Sequence, residues 1–186
     1  MVRRLLLFLY YGFARYYPDK PFPGYRFGNW LRSAIGKRVF LSAGTKIWIK
    51  HGARFDNGRH IKLGNYSQLG IDCRVDNDVI LGDYVLMGPE VAIYSQTHEF
   101  KDLEVPVMNQ GAMARRPVVI GDDVWIGIRS VILPGVTIGN HVIIGACSLV
   151  NHDIPDYAIV GGIPAKILKF RNAGEDPGRK ECATNL

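Results

Sequence analysis

Residues 118–150 read VVIGDDVWIGIRSVILPGVTIGNHVIIGACSLV, and an aliphatic side chain returns at every sixth position of this stretch. A period of six matches neither the 3.6-residue turn of an α-helix nor the two-residue alternation of a simple strand. It is typical of a chain that turns a corner every six residues, so that three steps close one triangular turn. The aliphatic positions of this run are Ile120, Ile126, Ile132, Ile138, Ile144 and Val150.

An earlier run keeps the same period. We expect the fourth residue after each aliphatic, which is small or β-branched, to face inward as well, near a corner. Glycine often follows the aliphatic directly, and we expect it to let the chain bend there. The members of the earlier run are Leu63, Leu69, Val75, Leu81, Met87 and Ile93. A looser set precedes them and slips by two residues before Leu63; we interpret it as the first turn, and it comprises Ala43, Ile49, Phe55 and Ile61.

Together the runs predict an all-β chain that folds as a parallel β-helix solenoid. We expect the solenoid to occupy residues 31–172, with a short helical segment before it and one long loop ejected at 94–117. An ordinary β-sandwich of short strands is disfavoured, because it would not hold twelve aliphatic side chains in a single phase. The closing region is predicted as a strand and turn at 158–164 and a basic helix or strand at 165–172. The polar tail 173–186 is predicted to be disordered.

The first 30 residues form a separate aromatic and basic segment, which holds ten of the twenty aromatic side chains. Residues 1–17 carry three arginines and no acid. On a helix, Leu5, Leu9, Phe13 and Tyr16 would share one face. The apolar run is too short to span a bilayer, and no small-residue cleavage site indicates a signal peptide. Two interpretations stay open: a helix resting on the inner face of the membrane, or a helix packed on the solenoid or on a neighbouring subunit.

Composition limits the possible partners and the compartment. The 186-residue chain has a net charge of +6 and a pI near 9.3, which suits polyanionic ligands or an anionic membrane surface. The basic residues are too scattered to indicate nucleic-acid binding. Three cysteines without metal-type spacing do not indicate a disulfide scaffold, so we expect a reducing, cytoplasmic compartment.

The repeat is interrupted between Ile93 and Ile120, and functional residues concentrate in loops held by a rigid scaffold. This loop begins with Tyr94-Ser95-Gln96-Thr97-His98. A neutral imidazole can accept a proton from a hydroxyl near pH 7, so His98 is the first candidate for a general base.

The whole pattern resembles the hexapeptide-repeat acyltransferases, which fold as left-handed parallel β-helices. The resemblance covers about residues 43–172. It is strongest with the galactoside and maltose O-acetyltransferases and with sugar O-acetyltransferases of polysaccharide pathways. The motifs that carry it are the repeat, the loop histidine His98, and the segments 117–127, 132–139 and 161–166.

The resemblance implies a function and an assembly. The expected reaction moves an acetyl group from acetyl-CoA to a sugar hydroxyl in polysaccharide or glycan biosynthesis, without a metal. His98 would be the general base for direct attack on the thioester. The expected assembly is a homotrimer with one active site in each cleft between neighbouring subunits.

On the donor side, Gly127, Gly145 and Ala146 match positions where the backbone of the solenoid approaches the coenzyme. Lys166 and Lys169 fall where the family places basic residues near the coenzyme's phosphates. Asn151 and His152 stand where related enzymes often have Thr-Lys, and we carry them over as coenzyme-binding positions.

On the acceptor side, Trp125 matches a tryptophan at the family's active site. Gln68 and Asp76 correspond to an Asn and an Asp of the family's acceptor site, and the change from Asn to Gln suggests a different acceptor.

Three other functions stay open. N-acetylation of an amino sugar would use the same coenzyme and base. A non-catalytic trimeric scaffold would share the fold only. A metal hydratase on this fold would need three histidines around one ion, and no histidine pair here has the spacing of that class.

Overall fold

The computed structural model describes residues 1–172, so the predicted tail lies outside the described residues. Two α-helices come first, α1 at Val2–Gly12 and α2 at Tyr25–Val39, with a 3₁₀ turn at Ala14–Tyr16 between them. Short strands make up most of the rest, and a second 3₁₀ turn lies at Val107–Asn109. The strands are β1 (Ser42–Ala43), β2 (Trp48–Ile49), β3 (Lys62–Leu63), β4 (Gln68–Leu69), β5 (Arg74–Val75), β6 (Val79–Leu81), β7 (Leu86–Met87), β8 (Ala92–Ile93), β9 (Val118–Ile120), β10 (Trp125–Ile126), β11 (Val131–Ile132), β12 (Thr137–Ile138), β13 (Ile143–Ile144), β14 (Leu149–Val150), β15 (Ala158–Gly161) and β16 (Lys166–Phe170).

The strands form three parallel sheets that the chain visits in rotation. Sheet 1 has the order β1-β3-β6-β9-β12, and sheet 3 has the order β14-β11-β8-β5. Sheet 2 consists of two ladders, β2-β4 and β16-β15-β13-β10-β7. These ladders adjoin where the Gln68 N–H donates to the Val85 carbonyl at 3.0 Å. Because each return to a sheet adds the next strand, the chain follows a coil, and only β16 runs antiparallel to its neighbour.

The register of the ladders confirms the six-residue period. Trp125 pairs with Ile143 and Val131 with Leu149, so successive turns of the coil are 18 residues apart. The slip before Leu63 is also found, because Ala43 pairs with Leu63, 20 residues later. Val79 pairs with Val118, so the loop is inserted between adjacent strands without disturbing their pairing.

The interior of the coil is filled as the repeat predicted. All twelve aliphatic positions of the two runs are buried, with exposed fractions of 2% or less. The fourth positions are buried too, including the polar Ser67, Ser130 and Ser148. Each of these hydroxyls donates to a backbone carbonyl; the Ser67 Oγ, for example, lies 2.7 Å from the Gly82 carbonyl oxygen. A buried polar group is tolerated when it is hydrogen-bonded in this way.

The role expected for the repeat glycines is wrong. The positive φ angles occur three residues after the aliphatic, at residues such as Tyr66 (56°) and Tyr84 (58°), so these corner residues make the bend. The glycine directly after the aliphatic instead lets successive turns stack closely. A Cβ on Gly64 would lie 2.2 Å from the Gly82 carbonyl oxygen.

Helix α2 was not predicted from the sequence. One of its faces is buried, but that face contains Gly28, Arg32 and Gly36 beside Ile35 and Val39, so no apolar stripe marks it. The two glycines admit neighbouring side chains, since a Cβ on Gly36 would lie 2.3 Å from Ile49 Cδ1.

Arg32 is fully buried and joins the helical segment to the coil. Its guanidinium donates to the carbonyls of Ile49 at 2.7 Å and Tyr17 at 2.6 Å. The Asp19 carboxylate lies 3.8 Å away.

Helix α1 packs on the coil through one face and leaves the other exposed. Tyr10 is buried, and its hydroxyl donates to the Ala53 carbonyl at 2.9 Å. The side chains predicted to share a face, Leu5, Leu9, Phe13 and Tyr16, do so on the exposed side, together with Phe8. No helix within residues 1–172 has the length and apolar composition needed to cross a membrane.

Candidate active site

The loop 94–117 folds back on itself as a hairpin that carries His98. His98 pairs with Ala112 in an antiparallel bridge. The hydrogen bonds on either side of the bridge run from the Glu99 N–H to the Gly111 carbonyl (3.1 Å) and from the Met113 N–H to the Thr97 carbonyl (2.8 Å). The His98 side chain is therefore held by backbone pairing on both strands of the hairpin, although it lies in a long connection.

His98 lies on a cavity of about 300 Å³ at the edge between sheets 3 and 1. The His98 side chain is exposed there, and neither ring nitrogen is hydrogen-bonded to another described residue. Asp76 lines the same cavity, one turn of the coil earlier. The structure thus brings together the predicted base and one predicted acceptor-binding residue.

Asp76 is held in this cavity by two neighbours. Its carboxylate accepts a 3.2 Å hydrogen bond from the Ser95 N–H, and the Arg74 guanidinium lies 3.8 Å away. Burial raises the pKa of the Asp76 carboxyl above its ordinary value, and the Ser95 and Arg74 contacts only partly offset that effect. The cavity therefore holds a carboxylate that resists ionisation more than an exposed aspartate does.

Sequence reasoning missed three residues of the cavity wall: Arg74, Tyr94 and Arg115. Arg115 donates to Asp78 at 2.8 Å and so fastens the returning strand of the hairpin to the coil. The Arg74 guanidinium lies over the Tyr94 ring, 5.5 Å from its centroid. A signal was available, because Arg74 and Tyr94 flank Asp76 and His98 in the six-residue register.

Gln68 and Trp125 lie elsewhere, on the outer surface of sheet 2. The Gln68 side-chain amide donates to the Met87 carbonyl at 2.9 Å. Trp125 pairs with Leu86 in the ladder, and these two side chains are 45% and 51% exposed. Within one subunit, neither Gln68 nor Trp125 lines the His98 cavity.

Gly127, Gly145 and Ala146 lie together at the edge where sheet 2 passes into sheet 3. Gly127 is buried against the next turn, since a Cβ there would lie 2.5 Å from the Ala146 nitrogen. Gly145 is more open, and the nearest atom to a Cβ there would be the Val160 carbonyl oxygen at 3.3 Å. Ala146 is exposed, so this edge offers a smooth backbone surface to a ligand.

Lys166 and Lys169 lie on β16, which the structure shows to be a strand, and their side chains are exposed. Lys166 pairs with Gly161 and Lys169 with Ile159 of β15, so both lysines lie beside the Gly145 edge.

Asn151 and His152 lie at the opposite edge, between sheets 3 and 1, and are exposed. The His152 Nδ1 is 2.9 Å from the Asn151 Oδ1. They share their edge of the coil with Asp76 and the His98 loop, at the far end of the coil.

The predicted site residues therefore fall on two sides of one subunit. His98, Asp76, Asn151 and His152 occupy the edge between sheets 3 and 1. The other side is sheet 2 and its edge with sheet 3, where the remaining residues lie, namely Gln68, Trp125, Gly127, Gly145, Ala146, Lys166 and Lys169.

In the part of the chain that the structure describes, no three His, Cys, Asp or Glu side chains lie close enough to hold one metal ion. The ligand arrangement that the hydratase alternative requires is not found among these residues.

A coil with six-residue steps and a loop histidine defines a class of transferases, and comparison with known proteins agrees. The family described as bacterial transferase hexapeptide (six repeats) matches residues 117–152. The galactoside O-acetyltransferase of Escherichia coli K12 is 33% identical over 143 residues, which cover 76% of this chain and 69% of that protein.

Two solved structures show the same overall fold. A maltose O-acetyltransferase from Clostridium difficile 630 has a TM-score of 0.72 and 33% identity, covering 90% of this chain and 85% of that one. A galactoside acetyltransferase in complex with coenzyme A has a TM-score of 0.75 and 28% identity, covering 92% and 80%. The chain belongs to the hexapeptide-repeat acyltransferase family and is an acyltransferase.

Proposed function

We propose that the protein is an acetyl-CoA-dependent O-acetyltransferase that acts on a sugar hydroxyl, with His98 as the general base. The observation that carries this proposal is the exposed imidazole of His98, held by a paired hairpin on a polar cavity that also contains Asp76. The relatives named as galactoside and maltose O-acetyltransferases support the sugar and the acetyl group.

The proposed step balances around His98. The imidazole takes the proton of the sugar hydroxyl as the hydroxyl oxygen attacks the thioester carbonyl carbon. The tetrahedral oxyanion then collapses, the C–S bond breaks, and the coenzyme thiolate takes the proton back from the imidazolium. A general base of this kind contributes about 10²- to 10⁴-fold to the rate.

The donor site is proposed on the edge of Gly127, Gly145 and Ala146. The absence of large side chains there lets an extended pantetheine arm approach backbone groups. Lys166 and Lys169, exposed beside this edge, would meet the phosphates of the coenzyme. Asn151 and His152 are proposed to contact the same coenzyme from the other edge.

A homotrimer completes this proposal. His98 and the proposed donor edge lie on different sides of one subunit, so a second copy must supply one half of each site. Exposed apolar side chains on both sides suit such an interface, namely Leu86 and Trp125 on sheet 2 and Leu103 and Met108 on the loop. We further propose that the coil is a left-handed β-helix solenoid, as in the family that the sequence resembles.

Gln68, Trp125 and Asp76 are proposed to contact the acceptor. A role in polysaccharide or glycan biosynthesis, at the cytoplasmic face of the membrane, agrees with the exposed aromatic side of α1. Transfer to the nitrogen of an amino sugar is the alternative reaction, and a non-catalytic trimeric scaffold is the alternative without chemistry.

The test combines binding and turnover. Acetyl-CoA titrated calorimetrically into the wild type is expected to bind once per subunit. His98→Ala should keep that binding and lose turnover by about 10²-fold or more. His141→Ala is the control, because His141 is an exposed corner residue bonded to Asp123 at 3.0 Å, and it should retain turnover.

Near-normal turnover of His98→Ala would contradict the assigned base. No binding of acetyl-CoA by a folded trimer would favour the scaffold. Parallel assays with a sugar and the matching amino sugar separate O- from N-transfer.

A further inference from the structure

A cavity of about 540 Å³ lies between α2 and the first turn of the coil, away from the His98 loop. It is lined on one side by residues of α2 and the segment before it, and on the other by residues 46–50. None of the residues discussed as catalytic or coenzyme-binding belongs to it.

The cavity is strongly basic. Its basic side chains are Lys20, Arg26, Lys37, Lys46 and Lys50. No salt bridge joins any of these five to a described acidic side chain. The only acidic residue in the lining is Asp19, and the buried Arg32 guanidinium lies 3.8 Å from its carboxylate. The five cations are therefore left for a ligand, and lysine ammonium groups bind phosphate well.

The cavity also contains hydrogen-bond acceptors that lack donors. The Asn29 Oδ1 and the Asp19 Oδ2 are buried and have no hydrogen-bond partner among the described residues. Buried polar atoms are normally paired, so each of these oxygens calls for a donor such as a ligand hydroxyl.

Aromatic side chains complete the lining, namely Tyr25, Trp30 and Trp48. Trp48 pairs in the sheet 2 ladder with Gln68, a proposed acceptor-binding residue. Indole rings offer a broad apolar face together with an N–H donor, which suits a ligand that is apolar on one face and polar at its rim.

Cations for an anion, unpaired acceptors for hydroxyls and aromatic faces for a ring identify one chemical class. We propose that this cavity binds a phosphorylated sugar, with the phosphate on Lys37 and Lys50 and the hydroxyls donating to Asn29 and Asp19. We also assign phosphorylated sugars as the acceptor class of the acetyl transfer, a step that rests on the proposed function.

The binding experiment uses the intact protein and three probes: inorganic pyrophosphate, glucose 1-phosphate and glucose. Calorimetric titration at low salt should give saturable binding of the two phosphates, with glucose at least tenfold weaker. Binding should weaken as salt is added. Lys37→Glu and Lys50→Glu should each weaken pyrophosphate binding about tenfold or more, because a repulsive charge replaces an attractive one.

Lys62→Glu is the matched control, because Lys62 is an exposed lysine on β3 outside the cavity, and its binding should stay within about twofold of wild type. The binding proposal is overturned if neither phosphate binds or if the control weakens binding as much as the cavity variants do. Vesicles of phosphatidylglycerol form a further arm. If they bind through Lys37 and Lys50 while glucose 1-phosphate does not compete, the ligand is a lipid phosphate and the sugar assignment fails.

Turnover separates this inference from the proposed function. If glucose is acetylated as well as glucose 1-phosphate, and Lys37→Glu leaves both KM values unchanged, the assigned acceptor class is wrong and the proposed function stands. If both phosphates bind in the cavity but no sugar is acetylated, the proposed function fails and the binding site stands.

Discussion

The backbone N–H of Ser95 donates a 3.2 Å hydrogen bond to the carboxylate of Asp76, across two successive turns of the coil. The Ser95 hydroxyl also donates to the Asn77 carbonyl. At the other end of the loop, Arg115 donates to Asp78 at 2.8 Å. Both ends of the hairpin that carries His98 are thus fastened to residues 76–78, so the position of the proposed base depends on this short corner.

Asp76→Asn is expected to change the pH dependence of stability. Burial raises the pKa of Asp76 in the folded protein above its ordinary value. Between those two pKa values the folded state binds more protons than the unfolded state, so this group's contribution to stability falls as pH rises through that window. Asparagine keeps an oxygen for the Ser95 N–H and removes the buried charge. The variant should therefore gain stability relative to wild type from pH 4 to pH 7.

Thermal unfolding of both proteins at several pH values checks this prediction. Acetyl transfer by Asp76→Asn should fall, since the carboxylate lies on the cavity of His98, and a gain in stability with a loss of activity is typical of functional sites. A stability difference that is the same at pH 4 and pH 7 would show that Asp76 titrates as an exposed carboxyl.

The repeat could be predicted because each turn of the coil offers its side chains the same surroundings. Leu63 and Ile144 meet similar neighbours, so a single phase assigns all the inward positions. Helix α2 could not be predicted from the hydrophobic pattern, because its contacts with the coil use Gly28, Gly36 and the buried Arg32. Chain pattern carries no signal for a guanidinium satisfied by backbone carbonyls.

The site could be predicted only residue by residue. The loop position identified His98, and the register identified Asp76. The separation of His98 from Trp125 onto two sides of the coil follows from which sheet each strand joins, which the resemblance did not reveal. The basic cavity lies between α2 and the first turn, so it could not be anticipated without α2.

Gly127→Ala and Gly145→Ala should differ in their effects, although both glycines are proposed to face the coenzyme. A Cβ on Gly127 would lie 2.5 Å from the Ala146 backbone nitrogen, which cannot move without displacing the next turn. Overpacking of this kind costs about 1–3 kcal/mol. A Cβ on Gly145 meets its nearest atom at 3.3 Å, so stability should change little while acetyl-CoA binding weakens.

Urea denaturation and calorimetric titration of the two variants separate these effects. Equal losses of stability in both variants would count against the close stacking described at Gly127. Unchanged acetyl-CoA affinity in Gly145→Ala would remove this edge from the donor site.

Arg32→Met is expected to lower the free energy of unfolding by about 3 kcal/mol or more. The change removes a buried cation and leaves the Ile49 and Tyr17 carbonyls and the Asp19 carboxylate without their donor. Arg38→Met on the same helix is the control, because Arg38 is exposed and donates only to the Ala34 carbonyl at 3.1 Å, and it should cost about 0.5 kcal/mol or less. Chemical denaturation measures both, and similar losses would mean that Arg32 does not fasten the helices to the coil.

The exposed side of α1 is expected to bind anionic membranes. Phe8 and Leu5 are 77% and 67% exposed, and residues 1–17 add three arginines without an acid. An apolar face flanked by cations lies favourably in the headgroup region, where burial of apolar area and attraction to anionic lipid add together. Phe8→Glu should therefore abolish co-sedimentation with phosphatidylglycerol vesicles and leave acetyl transfer to a soluble sugar unchanged.

Phe100→Glu is the matched control for this prediction, because Phe100 is 60% exposed on the His98 loop and carries the same change away from α1. Its co-sedimentation should equal that of the wild type, and wild-type binding should weaken with added salt and with neutral phosphatidylcholine vesicles. If the wild type does not co-sediment, and Phe8→Glu instead dissociates the oligomer in sedimentation equilibrium, then a second copy of the chain covers this face. In that case the exposed side of α1 belongs to a subunit interface, and the proposed membrane contact is wrong.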